Sequence, residues 1–151
     1  MDLKIKFVHT NLVAKDWKSL ANFYVNVFGC KPKPPERDLS GQWLDNATSV
    51  HDARIRGIHL HLPGFGDDGP TLEIFQYAEM PKNGPHRINQ PGFGHIAFAV
   101  DNVQESLDKV LQNGGSKIGD LVSTEITGAG GIEFVYACDP EGNIIELQKW
   151  K

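Results

Sequence analysis

Long apolar runs are missing from this 151-residue chain, and so is any run of basic residues. The first absence excludes a membrane-spanning helix, which needs about 20 consecutive apolar residues. The N-terminal stretch MDLKIKFVH also carries no signal-peptide apolar region. The second absence, with a net charge of −4, argues against a nucleic-acid partner, because neutralising phosphates takes clustered Lys and Arg. Cysteine is scarce as well. Cys30 and Cys138 have no metal-type spacing, and two thiols are too few for a disulfide framework. They read as buried free thiols in a reducing cytoplasm. What is present is ordinary for one globular domain: 40% hydrophobic and 23% charged residues.

The chain repeats itself. FVHTNLVAKDWKSLANFYVNVFG (7–29) reads as a strand, an Asp16 helix cap and a helix ending at Gly29. FGHIAFAVDNVQESLDKVLQNGG (93–115) has the same order, with Asp101 as the cap and Gly114-Gly115 as the exit. Val103, Leu107, Val110 and Leu111 give the second helix its apolar stripe; Leu20, Phe23, Tyr24, Val27 and Phe28 supply that of the first. Further strands follow each helix: ARIRGIHLHLP and TLEIFQY in the first half, SKIGDLV, IEFVYACD and IIELQKW in the second, joined by turns rich in Gly, Asp and Asn. The pattern predicts an α+β fold of two βαβββ modules, about 3–78 and about 92–150, with a Pro/Gly/Asn-rich linker at about 79–91. Extra residues between about 32 and 53 read as a loop or lid near a site.

The repeat singles out four side chains. His9 and His95 occupy corresponding places in the two modules, and so do Glu73 in TLEIFQ and Glu146 in IIELQK. A carboxylate within an apolar strand is costly unless paired, hydrogen-bonded or metal-bound. Strand alternation sets each of the four away from the more aliphatic face of its strand. Two sheets edge to edge would make one curved mixed sheet around a central metal-binding cleft, with the four converging. Two imidazoles and two carboxylates suit a borderline divalent ion and leave one or two positions for water or substrate.

The segments FVHTNLVAKD, NFYVNVFG, TLEIFQ, GFGHIAFAVDNV and DPEGNIIELQ resemble the vicinal oxygen chelate superfamily over nearly the whole chain. That superfamily includes glyoxalase I, methylmalonyl-CoA epimerase, extradiol dioxygenases, fosfomycin-resistance enzymes and bleomycin-binding proteins. The ligand set His9, Glu73, His95 and Glu146 is most similar to glyoxalase I; epimerases usually carry Gln at the second position, and extradiol dioxygenases have no protein ligand there. The resemblance implies a lyase of the lactoylglutathione lyase type. Such an enzyme works by proton transfer through a metal-stabilised enediolate on a 2-oxoaldehyde hemithioacetal-type substrate, with Ni, Co, Zn, Mn or Fe as the metal. Glu146, or alternatively Glu73, would serve as the base. It further implies a homodimer in the cytoplasm acting on a small molecule. Glutathione or another thiol would be the cosubstrate, although no residues here match glutathione-carboxylate contacts. Other readings are a non-catalytic, bleomycin-resistance-type binding protein and a dioxygenase-like or epimerase-like enzyme.

Several further residues are candidates for the pocket alone. Arg37, Arg54 and Arg56 offer charge to an acidic substrate, His59 and His61 share a strand face, and Trp43 and Phe65 are candidate walls. His51 and His86 fall in expected loops.

Overall fold

The computed structural model describes residues 4–151, which form two compact units divided between residues 82 and 83, inside the Pro/Gly/Asn-rich stretch. The first contains β1 (His9–Val13), α1 (Trp17–Phe28), β2 (Lys31–Ser40), α2 (Gln42–Thr48), β3 (Arg54–His61) and β4 (Thr71–Tyr77). The second contains β5 (Ile96–Ala99), α3 (Val103–Gln112), β6 (Ser116–Lys117), β7 (Val122–Ile126), β8 (Gly130–Cys138) and β9 (Ile144–Trp150). The fold is α+β with two mixed sheets.

In the first unit the sheet order is β1-β4-β3-β2, with β1 parallel to β4 and the other pairs antiparallel. Asp16 caps α1 by accepting from the Ser19 amide, and Gly29 at φ 69° closes it in the left-handed region that glycine tolerates best. Trp17, Leu20, Ala21, Phe23 and Tyr24 form the buried side of α1, while Leu60, Leu72 and Ile74 are the most buried residues of the sheet. Val27 and Phe28, expected in the apolar stripe, are only half-buried because the helix ends as it leaves the sheet.

The stretch 32–53, expected as a loop or lid, is instead an edge strand followed by a short helix. An edge strand tolerates prolines that a central one would not, and β2 shifts register between Lys33 and Arg37, around Pro34 and Pro35. Leu44 of α2 packs with Ala53 and Ile55, and Leu39, Phe75 and Tyr77 lie against that cluster. The helix therefore covers one end of the sheet face opposite α1. Asp45 fixes its exit by accepting from the backbone amides of Asp52 and Ala53.

The second unit has the order β5-β9-β8-β6, with β5 parallel to β9 and β7 also paired to β8. SKIGDLV was expected as one strand; it is split into β6 and the start of β7, which pair in turn along β8. Together they fill the place that β2 fills in the first unit. The α3 cap is Asn102, which accepts from the Glu105 amide, and not Asp101. Asn102 and Glu105 satisfy the same capping spacing one residue later, and the Asp101 carbonyl accepts from Lys149. Val103, Leu107 and Val110 are buried, whereas Leu111 turns outward past the stripe. Between β8 and β9, buried Asp139 accepts from the Glu141 and Asn143 amides and from the Asn143 side chain, which gives the Asp-Pro-Glu-Gly-Asn turn its rigidity. Among the described residues no helix is long and apolar enough to cross a membrane.

Candidate metal centre

In the first unit the histidine and the glutamate are carried by neighbouring parallel strands; in the second the glutamate is on β9 and the histidine directly precedes the parallel strand β5. The register aligns His9 with Thr71 and Asn11 with Glu73. It aligns Ala97 with Glu146, and His95 stands immediately before β5, two residues ahead of Ala97. His95 was expected within the strand; its position next to the first β5 residue still brings it to the carboxylate.

In the first unit, Glu73 is the centre of a cluster on the sheet face opposite α1. His9 Nε2 is 3.5 Å from Glu73 Oε1, and Asn11 Nδ2 donates to that oxygen at 2.9 Å. His59 Nε2 lies 2.7 Å from Glu73 Oε2, while its Nδ1 is 3.0 Å from Thr71 Oγ1. The His9 and His59 rings meet edge-on with centroids 5.5 Å apart. The side chains of Glu73 and His59 are 11% and 14% exposed against 38% for His9, so the cluster opens to solvent on the His9 side. Burial pulls His59 below the ordinary histidine range; Glu73 opposes that shift, and Arg37, His9 and Lys33 add to it. A neutral imidazole is what a metal ligand requires.

Alternation along β3 explains why His59 joins this group. It pairs with Glu73 in the ladder, and directly paired residues share a face. The sequence placed His59 and His61 on one face as candidates for lining the pocket and did not count His59 with the four candidates; its counterpart in the second half is Tyr136. His61 follows on the same face, its Nδ1 buried without a hydrogen-bond partner among the described residues. Toward the other end Phe75 lies over Gly57, where a Cβ would come within 2.0 Å of the Ile74 carbonyl oxygen. A cavity of about 260 Å³ beside the cluster is lined by Lys33, Arg37, His59 and Thr71, among others.

In the second unit, His95 Nε2 is 3.0 Å from Glu146 Oε2, with side chains 32% and 14% exposed. Tyr136 stands opposite Glu146 in the β8–β9 ladder, and its ring meets His95 edge-on at 5.2 Å. Burial, then the Glu146 charge, raises its phenol above the usual tyrosine range.

The other candidates separate from these clusters. Arg54 makes a two-pronged contact with Asp38, both bonds at 2.9 Å, and Arg56 approaches the same carboxylate at 3.6 Å. Both lie on the opposite face of β3 from His59 by alternation. Arg37 borders the cavity. Trp43 and Phe65 are exposed. His51 pairs with Asp52 on the surface at 3.3 Å, near the Asp45 carboxylate already engaged by backbone amides. His86 is exposed in the linker.

The donor chemistry of both clusters, imidazole nitrogen beside a mostly buried carboxylate, fits a divalent ion of the zinc, nickel, cobalt or manganese kind. Known proteins agree on the fold and on the relatives. A lactoylglutathione lyase of Schizosaccharomyces pombe is 29% identical over 94% of this chain, which spans 46% of that longer protein. A lactoylglutathione lyase of Escherichia coli O157:H7 is 25% identical over 95% of this chain and 91% of its own length. Among solved structures, a glyoxalase family protein from Bacillus cereus superposes with a TM-score of 0.74 at 18% identity, covering 99% of this chain and 95% of its own. A glyoxalase I variant from Zea mays superposes at 0.64 with 23% identity, covering 95% of this chain and 44% of its own. Residues 6–147 match the family description itself, and with paired His and Glu strands in both units the chain belongs to the glyoxalase/bleomycin resistance protein/dioxygenase superfamily.

Proposed function

We propose that the protein is a metal-dependent, glyoxalase I-like lyase that moves a proton between adjacent carbons of a 2-oxoaldehyde hemithioacetal or a close analogue. The observation that carries this reading is the repeated pair: a histidine beside a mostly buried glutamate, once in each unit, at 3.5 Å and 3.0 Å. His9 and Glu73 in the first unit, and His95 and Glu146 in the second, are the proposed metal ligands. The lactoylglutathione lyase relatives support the choice of substrate class, with glutathione or another thiol as the cosubstrate.

When bound, the metal would polarise a substrate carbonyl and stabilise negative charge as it develops on neighbouring oxygens. His9 and His95 would hold it as nitrogen donors. Glu146 takes the proton from the carbon beside the carbonyl and delivers it to the neighbouring carbon, which requires one carboxylate within reach of both. Glu73 is mostly buried, and a charged group in such a setting interacts more strongly with a bound cation than it would in water.

The test is metal analysis of the protein after growth with nickel, cobalt, zinc and manganese, followed by assay against methylglyoxal mixed with glutathione or another thiol in deuterated water. Bound metal, product and solvent deuterium in the product are the expected results. Tight binding of an unreacted ligand with no metal dependence would replace this reading with a binding protein. Oxygen uptake with iron would replace it with a dioxygenase.

A further inference from the structure

The two units have the same strand pairing around their glutamates, and their ladders allow a position-by-position comparison. Around Glu73 stand Asn11 on β1, His59 on β3 and, two residues before it on β4, Thr71. Around Glu146 the corresponding places hold Ala97, Tyr136 and Ile144. Each of the three groups near Glu73 is polar and engaged: Asn11 donates to one carboxylate oxygen, His59 meets the other, and Thr71 meets the far nitrogen of His59. Around Glu146 they give way to a methyl group, a phenol ring and an aliphatic chain. Among the described residues no hydrogen bond joins the Tyr136 hydroxyl to Glu146, whose side-chain partner is His95.

Carboxylate oxygens accept, so His59 donates through Nε2–H, and Nδ1 is left to accept from the Thr71 hydroxyl. The imidazole is then held at both ends between two residues of β4. From this we infer that His59 is a positioning residue: its Nε2–H fixes Glu73 in a single orientation toward His9, making Glu73 the stationary carboxylate of the pair. Among the described residues Glu146 has no such second donor, and its side-chain partner is His95. This rests on the metal-site reading above and deepens it, since it adds His59, a residue that the repeat does not single out. Partners that orient a ligand carboxylate typically change metal affinity or activity by about 10–100-fold when removed.

Cobalt(II) titration, followed in the visible spectrum, tests the inference without any assay of turnover. His59→Ala is expected to weaken cobalt binding by about 10–100-fold, while the spectrum at saturation keeps its wild-type band positions and intensities. His59→Gln, which retains an N–H near the Nε2 position, is expected to stay within about threefold of wild type, the donor being kept. Unchanged affinity in His59→Ala would overturn the clamp. A changed spectrum at saturation would make His59 a ligand and overturn its positioning role. His59→Gln as weak as His59→Ala would assign the loss to packing and also overturn it. Should His59→Ala fail to fold, by circular dichroism, the Gln variant and Thr71→Val carry the test. Thr71→Val removes the hydroxyl behind His59 and is expected to weaken cobalt in the same direction; wild-type affinity in it would count against the clamp. Wild-type protein that binds no cobalt at all would instead bring down the metal-site reading, before any variant is compared.

Discussion

His95 Nε2 lies 3.0 Å from Glu146 Oε2 although 51 positions separate them in the chain. The parallel pairing of β5 with β9 brings them together, and the same pairing of β1 with β4 does so for His9 and Glu73. Those two contacts set the first prediction. His95→Ala removes an imidazole donor and is expected to lower metal content in dialysed protein severalfold or more. Glu146→Gln is expected to keep metal yet lose exchange of the substrate C–H with solvent deuterium, whereas Glu73→Gln keeps measurable turnover. Metal content unchanged in His95→Ala, or full exchange in Glu146→Gln, would reject the respective assignment.

The turn between β8 and β9 is a second place to intervene. Asp139 is buried, and its carboxylate accepts from the Glu141 and Asn143 backbone amides and from the Asn143 side chain. Asp139→Ala leaves those donors without their acceptor and is expected to cost about 2–4 kcal/mol. Urea denaturation reads the loss, and a change below about 0.5 kcal/mol, the range of an ordinary surface substitution, would show that the turn holds without it.

Leu44 tests whether α2 is part of the fold or a loose flap. Its side chain is buried with Ala53 and Ile55, and Leu44→Ala is expected to destabilise the protein by about 2–4 kcal/mol. If α2 were an independent lid, the denaturation midpoint would stay at the wild-type value.

Alkaline pH supplies a fourth prediction. Burial pushes the Cys30 thiol up to about 11 and raises Cys138 as well. The folded state therefore holds thiol protons that the unfolded chain releases from about pH 9 upward. This contribution is fully present below pH 9 and is lost as pH rises from 9 toward 11, because the unfolded state then binds fewer protons. Urea midpoints measured from pH 8 to pH 10.5 should fall progressively above 9. At pH 8 iodoacetamide should label Cys30 slowly in folded protein and rapidly in urea. Rapid labelling of folded protein would contradict its burial.

Assembly is open to direct measurement. We propose a homodimer, the commonest symmetric state of soluble oligomers, and light scattering should return twice the 16.7 kDa chain mass. A chain mass held across a wide concentration range would refute it.

Much of this arrangement was legible in the residues. The period-two pattern of the strands, the helical stripe on α3 and the Asp16 cap depend on neighbours close in sequence, where propensity and hydrogen-bonding rules act directly. The internal repeat then placed His9 beside His95 and Glu73 beside Glu146 in role. Residues 32–53 were harder to read. Prolines argue for a loop, and only the free edge beside β3 allowed them into a strand. The shift of the α3 cap from Asp101 to Asn102 turned on a choice between two adjacent residues of similar capping strength.

The sequence by itself determined the two-module order, the identity of the paired histidines and glutamates, and the face on which each stands, because alternation and repetition are local properties. Tertiary structure alone decided what surrounds each carboxylate. His59 and Tyr136 are both ordinary strand residues until the β3–β4 and β8–β9 registers set one opposite Glu73 and the other opposite Glu146. Register depends on pairing between strands distant in the chain, and a slip of one residue would turn each side chain to the other face. That long-range choice makes two similar glutamates chemically different.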